Sequence, residues 1–134
     1  MISAIDTSAL LAVLKGENEA EAWISLLIAQ AALGPLRICE VTAAELGAFF
    51  PSPAELERAL TKLRIELDPS GLEACCLAGR IFRQYREAGG RRSTIIPDFL
   101  IGAHAMIQAD VLIAADRGYL KRYYQRLIVL QPAG

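Results

Sequence analysis

Five short apolar-rich runs, separated by stretches with helical spacing, restrict this chain to one fold class. The runs are Ile2-Ser3-Ala4-Ile5, Leu36-Arg37-Ile38-Cys39, Ile65-Glu66-Leu67, Val111-Leu112-Ile113 and Leu127-Ile128-Val129-Leu130. A strand covered by helices on both faces is apolar along its length, whereas a strand with one wet face alternates. Between the runs, apolar residues return with the period of a helix. Leu10, Leu11, Val13 and Leu14 lead to Lys15-Gly16. A second helix is predicted from about Glu17 to Leu33, with Ala20, Trp23, Ile24, Leu27 and Ala31 on one face and a stop at Gly34-Pro35. Strands alternating with amphipathic helices predict a three-layer α/β domain, a central and mainly parallel sheet flanked by helices.

Capping signals place the helix starts. Thr7 or Ser8 is the expected cap after the first strand. Capping-box spacing occurs at Thr42-Ala43-Ala44-Glu45, Ser52-Pro53-Ala54-Glu55 and Ser70-Gly71-Leu72-Glu73, the second with proline at the first helical position. The helix after Ser70 is expected to run to about Ala88 and end at Gly89-Gly90. Arg91 to Ile96 reads as a loop, and Pro97-Asp98 opens a helix to about Gln108. No repeat, low-complexity tract or linker interrupts the pattern, so one domain over residues 1–134 is expected.

Composition excludes several classes. With 54% hydrophobic residues in 134, the chain can bury a sizeable core, which rules out disorder and a small disulfide scaffold. Three cysteines, Cys39, Cys75 and Cys76, offer neither paired nor zinc-like spacing, and they point to a reducing, cytoplasmic setting. Met1 leads directly to Asp6 without the n- and h-regions of a signal peptide. The longest uncharged run, Ala22 to Leu36, is too short to span a bilayer, so no membrane partner is expected. A net charge of −1 argues against a nonspecific nucleic-acid binder. The charge is uneven, however: residues 1–67 carry five basic and nine acidic groups, and residues 68–134 nine basic and six acidic. Arg80, Arg83, Arg86, Arg91, Arg92, Lys121, Arg122 and Arg126 supply most of the basic side. Solvated helix faces explain such runs by default, and grips on a phosphate-bearing substrate are the functional alternative.

In open α/β sheets the site lies outside the carboxyl ends of the strands. Asp6 directly follows the first strand, and Glu45 is expected in the first turn of the helix after the second. Asp98 opens the helix after the arginine-rich loop, and Asp116 lies just beyond Val111–Ile113. Singly, each has a structural explanation. Glu45 closes a capping box, Asp98 complements a helix dipole, and Asp116 fits a turn before Arg117-Gly118. As a set at one sheet edge they would repel one another, and a divalent cation relieves that repulsion. Hard oxygen donors without a His or Cys cluster point to Mg²⁺ or Mn²⁺.

Four segments carry a family resemblance: Ile5-Asp6-Thr7-Ser8-Ala9-Leu10, Val41-Thr42-Ala43-Ala44-Glu45-Leu46, Pro97-Asp98-Phe99-Leu100-Ile101-Gly102-Ala103-His104-Ala105 and Leu112-Ile113-Ala114-Ala115-Asp116-Arg117-Gly118-Tyr119. In order, spacing and total length the chain resembles the PIN-domain family, and within it the VapC-like toxins of bacterial and archaeal toxin–antitoxin pairs. The resemblance implies a metal-dependent endoribonuclease in which Asp6, Glu45, Asp98 and Asp116 hold one or two Mg²⁺ or Mn²⁺ ions. It also implies an RNA substrate, a small antitoxin partner and a homodimer. Thr7, Arg91, Arg92 and Arg117 are candidate substrate contacts. One departure is visible: family members often carry Thr or Ser two residues before the last acid, where this chain has Ala114.

The remaining features are weighed beside these. His104, the only histidine, is expected to be buried and hydrogen-bonded rather than a ligand. Tyr119, Tyr123 and Tyr124 suit core or interface before base stacking. The Ala22–Leu36 and Leu46–Phe50 segments suit core first, then self-association or an antitoxin helix. Three functions follow. The first is a ribonuclease toxin. The second is a PIN-like RNA- or partner-binding module without useful catalysis, favoured by Ala114. The third, an aspartate-based phosphotransferase, lacks the second Asp two residues after Asp6, where Ser8 stands.

Overall fold

The computed structural model describes residues 1–90, 96–115 and 118–133. In chain order the elements are β1 (Ser3–Ile5), α1 (Thr7–Leu14), α2 (Ala20–Ala31), β2 (Leu36–Ile38), α3 (Glu40–Gly47) and α4 (Pro53–Lys62). They continue with β3 (Ile65–Leu67), α5 (Leu72–Glu87), α6 (Ile96–Gln108), β4 (Val111–Ile113), α7 (Tyr119–Tyr123) and β5 (Ile128–Leu130).

The strands form one sheet in the order β3-β2-β1-β4-β5. Every pairing among them is parallel, with Ser3 opposite Leu36 and Val111, Leu36 opposite Ile65, and Ile113 opposite Leu130. Successive side chains of a strand point to opposite faces, so three-residue strands feed two separate cores. Ala4 and Leu112 join Phe99, Ile101, Ala103, Ala105, Leu120 and Tyr124 on one face. Ile5, Leu36, Ile38 and Ile113 join Leu10, Trp23, Leu27 and Leu46 on the other. The result is the expected three-layer α/β arrangement, with β1 and β4 buried along their whole length.

Several boundaries differ from expectation. Asp6, rather than Thr7 or Ser8, is the N-cap of α1, its carboxylate accepting from the Ser8 amide. The second helix starts at Ala20 rather than Glu17. Of the three capping boxes only the one at Ser52 forms, where Oγ accepts the Glu55 amide at 3.3 Å. Thr42 is already the third residue of α3, so Glu45 lies in the second turn. Gly71 caps α5, while Ser70 spends its amide and hydroxyl on Glu40. α7, over Tyr119–Tyr123, carries no capping signal and is found only in the structure.

α6 is held against the sheet by its own apolar face and by two polar ties. Phe99 is fully buried, with ring centroids 5.9 Å from Phe82, 5.3 Å from Tyr85 and 5.7 Å from Tyr123. The Tyr124 hydroxyl donates to the Phe99 carbonyl at 2.5 Å. His104 is 1% exposed, as its place in an apolar helix predicted, and its Nε2 lies 3.0 Å from Asp68 Oδ2. Gln108 Nε2 donates to the same oxygen at 3.1 Å. A Cβ at Gly102 would stand 2.6 Å from the Tyr124 ring, so this contact requires glycine. Among the described residues no helix is long and apolar enough to cross a membrane.

Candidate active site

The order β3-β2-β1-β4-β5 reverses direction between β1 and β4, because the chain builds outward from β1 on one side and returns on its other side. Neighbouring connections therefore leave the sheet in opposite directions there, opening a crevice beyond the carboxyl ends of these two strands. Asp6 is the first residue beyond β1. Its amide donates to the Ile113 carbonyl at 2.9 Å, which fixes its main chain to the end of β4. Its backbone is extended (φ −76°, ψ 151°), as an N-cap requires.

Hydroxyl groups hold the two carboxylates at this corner. Asp6 Oδ2 accepts from the Ser8 amide at 3.3 Å and from the Ser8 hydroxyl. Thr7, 7% exposed, donates Oγ1 to Glu45 Oε1 at 2.8 Å, joining the start of α1 to the second turn of α3. Asp6 Oδ1 and Glu45 Oε2 accept no hydrogen bond from the described residues. Asp98 is half-buried in the first turn of α6, one residue before the Phe99 anchor, and α6 packs against both α3 and β1. Beyond β4, Ala114 is fully buried and its amide donates to the Leu130 carbonyl at 3.1 Å.

The structure thus brings Asp6 and Glu45 to one corner, linked through Thr7, and sets Asp98 at the head of the neighbouring helix. Asp116, Arg91, Arg92 and Arg117 lie outside the described residues, as does the side chain of Tyr119. Among the described residues no group of three or more His, Cys, Asp or Glu side chains is placed to hold a metal ion. The donor set nevertheless fits a hard divalent cation: carboxylate oxygens, one on each of two residues carrying no hydrogen bond from the described residues. Ser8 is the participant that spacing did not single out. Its signal was adjacency to a strand-end acid, which reads equally well as a helix cap.

A cleft of about 600 Å³ opens beside the corner, lined by Ser8, Ala12, Glu17, Asn18, Glu19, Trp23 and Ala115. Its charged lining is acidic, which extends the negative potential of Asp6 and Glu45 outward. Arg80, Arg83 and Arg86 are exposed on α5, with Arg83 Nε paired with Glu87 at 3.0 Å. Away from the corner, partial burial raises the Glu40 carboxyl, but the Ser70 hydroxyl and amide outweigh it and hold Glu40 below its ordinary value. Burial pushes the Cys39 thiol upward, which removes it as a nucleophile.

A parallel sheet with a direction switch, an acid directly after its central strand and a second carboxylate tethered beside it define the class: an α/β domain with an acidic site at the carboxyl edge. The sequence matches the family model of the PIN domain over residues 4–125, and the chain belongs to that family. No curated protein sequence matches the chain significantly. Solved structures share its fold at low identity. One is VapBC2 from Rickettsia felis bound to a DNA fragment from their promoter (17% identity, 99% of this chain and 100% of that one, TM-score 0.74). A second is VapBC-1 from nontypeable Haemophilus influenzae (21% identity, 98% of each chain, TM-score 0.71). A third is FitAcB from Neisseria gonorrhoeae (21% identity, 97% of this chain and 96% of that one, TM-score 0.66).

Proposed function

We propose that this chain is a divalent-metal-dependent endoribonuclease and the toxin of a toxin–antitoxin pair, a single PIN-like unit over residues 1–134. The observation that carries the reading is the corner itself. At the switch point of the sheet, Asp6 and Glu45 each keep one carboxylate oxygen without a hydrogen bond from the described residues, beside a cleft whose charged lining is acidic. Such a corner repels a phosphodiester unless a cation stands between them. Asp6, Glu45, Asp98 and Asp116 would hold Mg²⁺ or Mn²⁺. When bound, the cation lowers the pKa of water and neutralises charge on the phosphate oxygens.

The chain's own residues do the rest. The Asp6 main chain is locked to β4, so its carboxylate is presented from a rigid strand end. Asp98 sits at the positive end of the α6 dipole, where an ionised carboxylate is stabilised. Asp98 or Asp116 would orient the attacking water and take its proton as the new phosphorus–oxygen bond forms and the bond to the leaving ribose oxygen breaks, that oxygen gaining a proton from solvent. Arg91, Arg92 and Arg117, with the exposed arginines of α5, would grip flanking phosphates. The likeness to complexes whose names pair a toxin with its partner supports a small antitoxin; a homodimer in the cytoplasm is part of the same proposal, as the motif resemblance implies.

The purified chain is expected to cleave total tRNA or rRNA with Mg²⁺ or Mn²⁺, to stop in EDTA, and to lose cleavage on Asp98→Asn. Cleavage that persists in EDTA would overturn the metal-dependent reading. The second reading, a binding module without catalysis, is favoured by the fully buried Ala114, which offers no hydroxyl beside the site. RNA binding without metal-dependent cleavage would put that reading first.

A further inference from the structure

We propose that Thr7 and Ser8 are positioning residues that set the two carboxylates of the corner for a divalent cation, an inference that rests on the metal-dependent reading above. Consecutive residues at the start of a helix point about 100° apart. Here that divergence sends one hydroxyl to each acid: Thr7 Oγ1 donates to Glu45 Oε1 at 2.8 Å, and the Ser8 hydroxyl donates to Asp6 Oδ2. A hydroxyl has one proton to give. Each therefore fixes one oxygen of its carboxylate and leaves the other without a donor among the described residues.

The arrangement matters most for Glu45. Its residue is exposed at the surface of α3, where a glutamate otherwise samples many rotamers. Thr7 is buried, so water competes little for its hydroxyl, which favours the bond to Glu45. The rotamer freedom that a long carboxylate would lose on binding a cation is already lost. At the end of the partner strand β4, the fully buried Ala114 brings no hydroxyl, which leaves the start of α1 to supply both. A helix cap alone does not explain the pair. Asp6 is the cap, and Thr7 reaches across to a different helix.

The test is Mn²⁺ affinity, read by electron paramagnetic resonance of free Mn²⁺, for the wild type, Thr7→Val, Thr7→Ser and Ser8→Ala, with the metal-free melting temperature of each. Thr7→Val keeps the shape and removes the donor. Outer-shell partners of metal ligands are typically worth about 10- to 100-fold in affinity, so Thr7→Val and Ser8→Ala should each bind Mn²⁺ at least about 10-fold more weakly. Thr7→Ser should restore binding, and the metal-free melting temperatures should stay together. Wild-type affinity in Thr7→Val, or Thr7→Ser binding as weakly as Thr7→Val, overturns the proposal while leaving metal-dependent cleavage by the wild type intact. Should Thr7→Val fail to fold, Ser8→Ala decides alone, since Ser8 is only half-buried. Loss of Mn²⁺ binding in the variants beside a wild type that binds but cleaves no RNA sinks the nuclease reading and leaves the positioning role standing.

Discussion

Asp6 does two things with one side chain: Oδ2 caps α1 while Oδ1 has no hydrogen-bond donor among the described residues. Asparagine caps a helix as well as aspartate does, so Asp6→Asn separates the two roles, keeping the cap and removing the charge. Tyr124 is the clearest structural counterpart. Its buried hydroxyl serves the Phe99 carbonyl, and Tyr124→Phe should cost about 0.5–1.5 kcal/mol in urea unfolding by removing that hydrogen bond. Glu40 gives a pH prediction. Its carboxyl is held below its ordinary value of 4.5 in the folded state, so its stabilising effect is complete above that value and fades as pH falls through it. Melting temperature should therefore drop more steeply below about pH 5 in the wild type than in Glu40→Gln, and parallel curves would contradict the Ser70 assignment. At this scale the sequence made Asp6 legible, because an acid directly after a buried strand has few structural uses. It could not show that Thr7 would reach Glu45, since that bond crosses 38 positions.

Helix starts show how far local patterns reach. Thr42, Ser52 and Ser70 all begin boxes of identical spacing, and only Ser52 caps. What separates them is tertiary demand. Thr42 is fully buried inside a helix that starts two residues earlier, and Ser70 is drawn to Glu40 on α3. Ser52→Ala should consequently lower stability by about 1 kcal/mol, whereas the cap contribution of Ser70 to α5 should be nil. Strands were easier. Ile65–Leu67 and Val111–Ile113 match their expected bounds: β4 is buried between two neighbours and leaves an apolar run with little else to explain it, whereas β3, at the sheet edge, shows as a short run between two helices. α7 escaped notice because a five-residue helix holding Leu120 in the core offers too few turns for a period to emerge.

For the molecule as a whole, the decisive feature is a sheet that reverses direction between β1 and β4, with α6 clamped over one face. Gly102→Ala places a methyl group 2.6 Å from the Tyr124 ring and should cost about 1–3 kcal/mol, loosening the helix that carries Asp98. That variant should lose nuclease activity along with stability, whereas Asp6→Asn should lose activity alone. Fold class and the place of Asp6 at the end of β1 were legible from alternating strands and helices. The tethering of the acids was not, because contacts between α1 and α3 depend on how the layers pack. Metal binding should also appear as stability, by about 2.7 kcal/mol at a hundredfold excess over the dissociation constant, provided that the unfolded chain does not bind.

The most direct measurement is cleavage of total RNA in Mn²⁺ by the wild type and Asp6→Asn, with the melting temperature of each metal-free protein. If the corner is a cation-dependent nuclease site, Asp6→Asn should lose more than about 100-fold in rate, beyond what outer-shell changes cost. Its metal-free melting temperature should equal or exceed that of the wild type, because a repelling charge is gone while the cap remains. A variant that cleaves as fast as the wild type, or one that melts far lower and loses activity only by unfolding, would contradict the account.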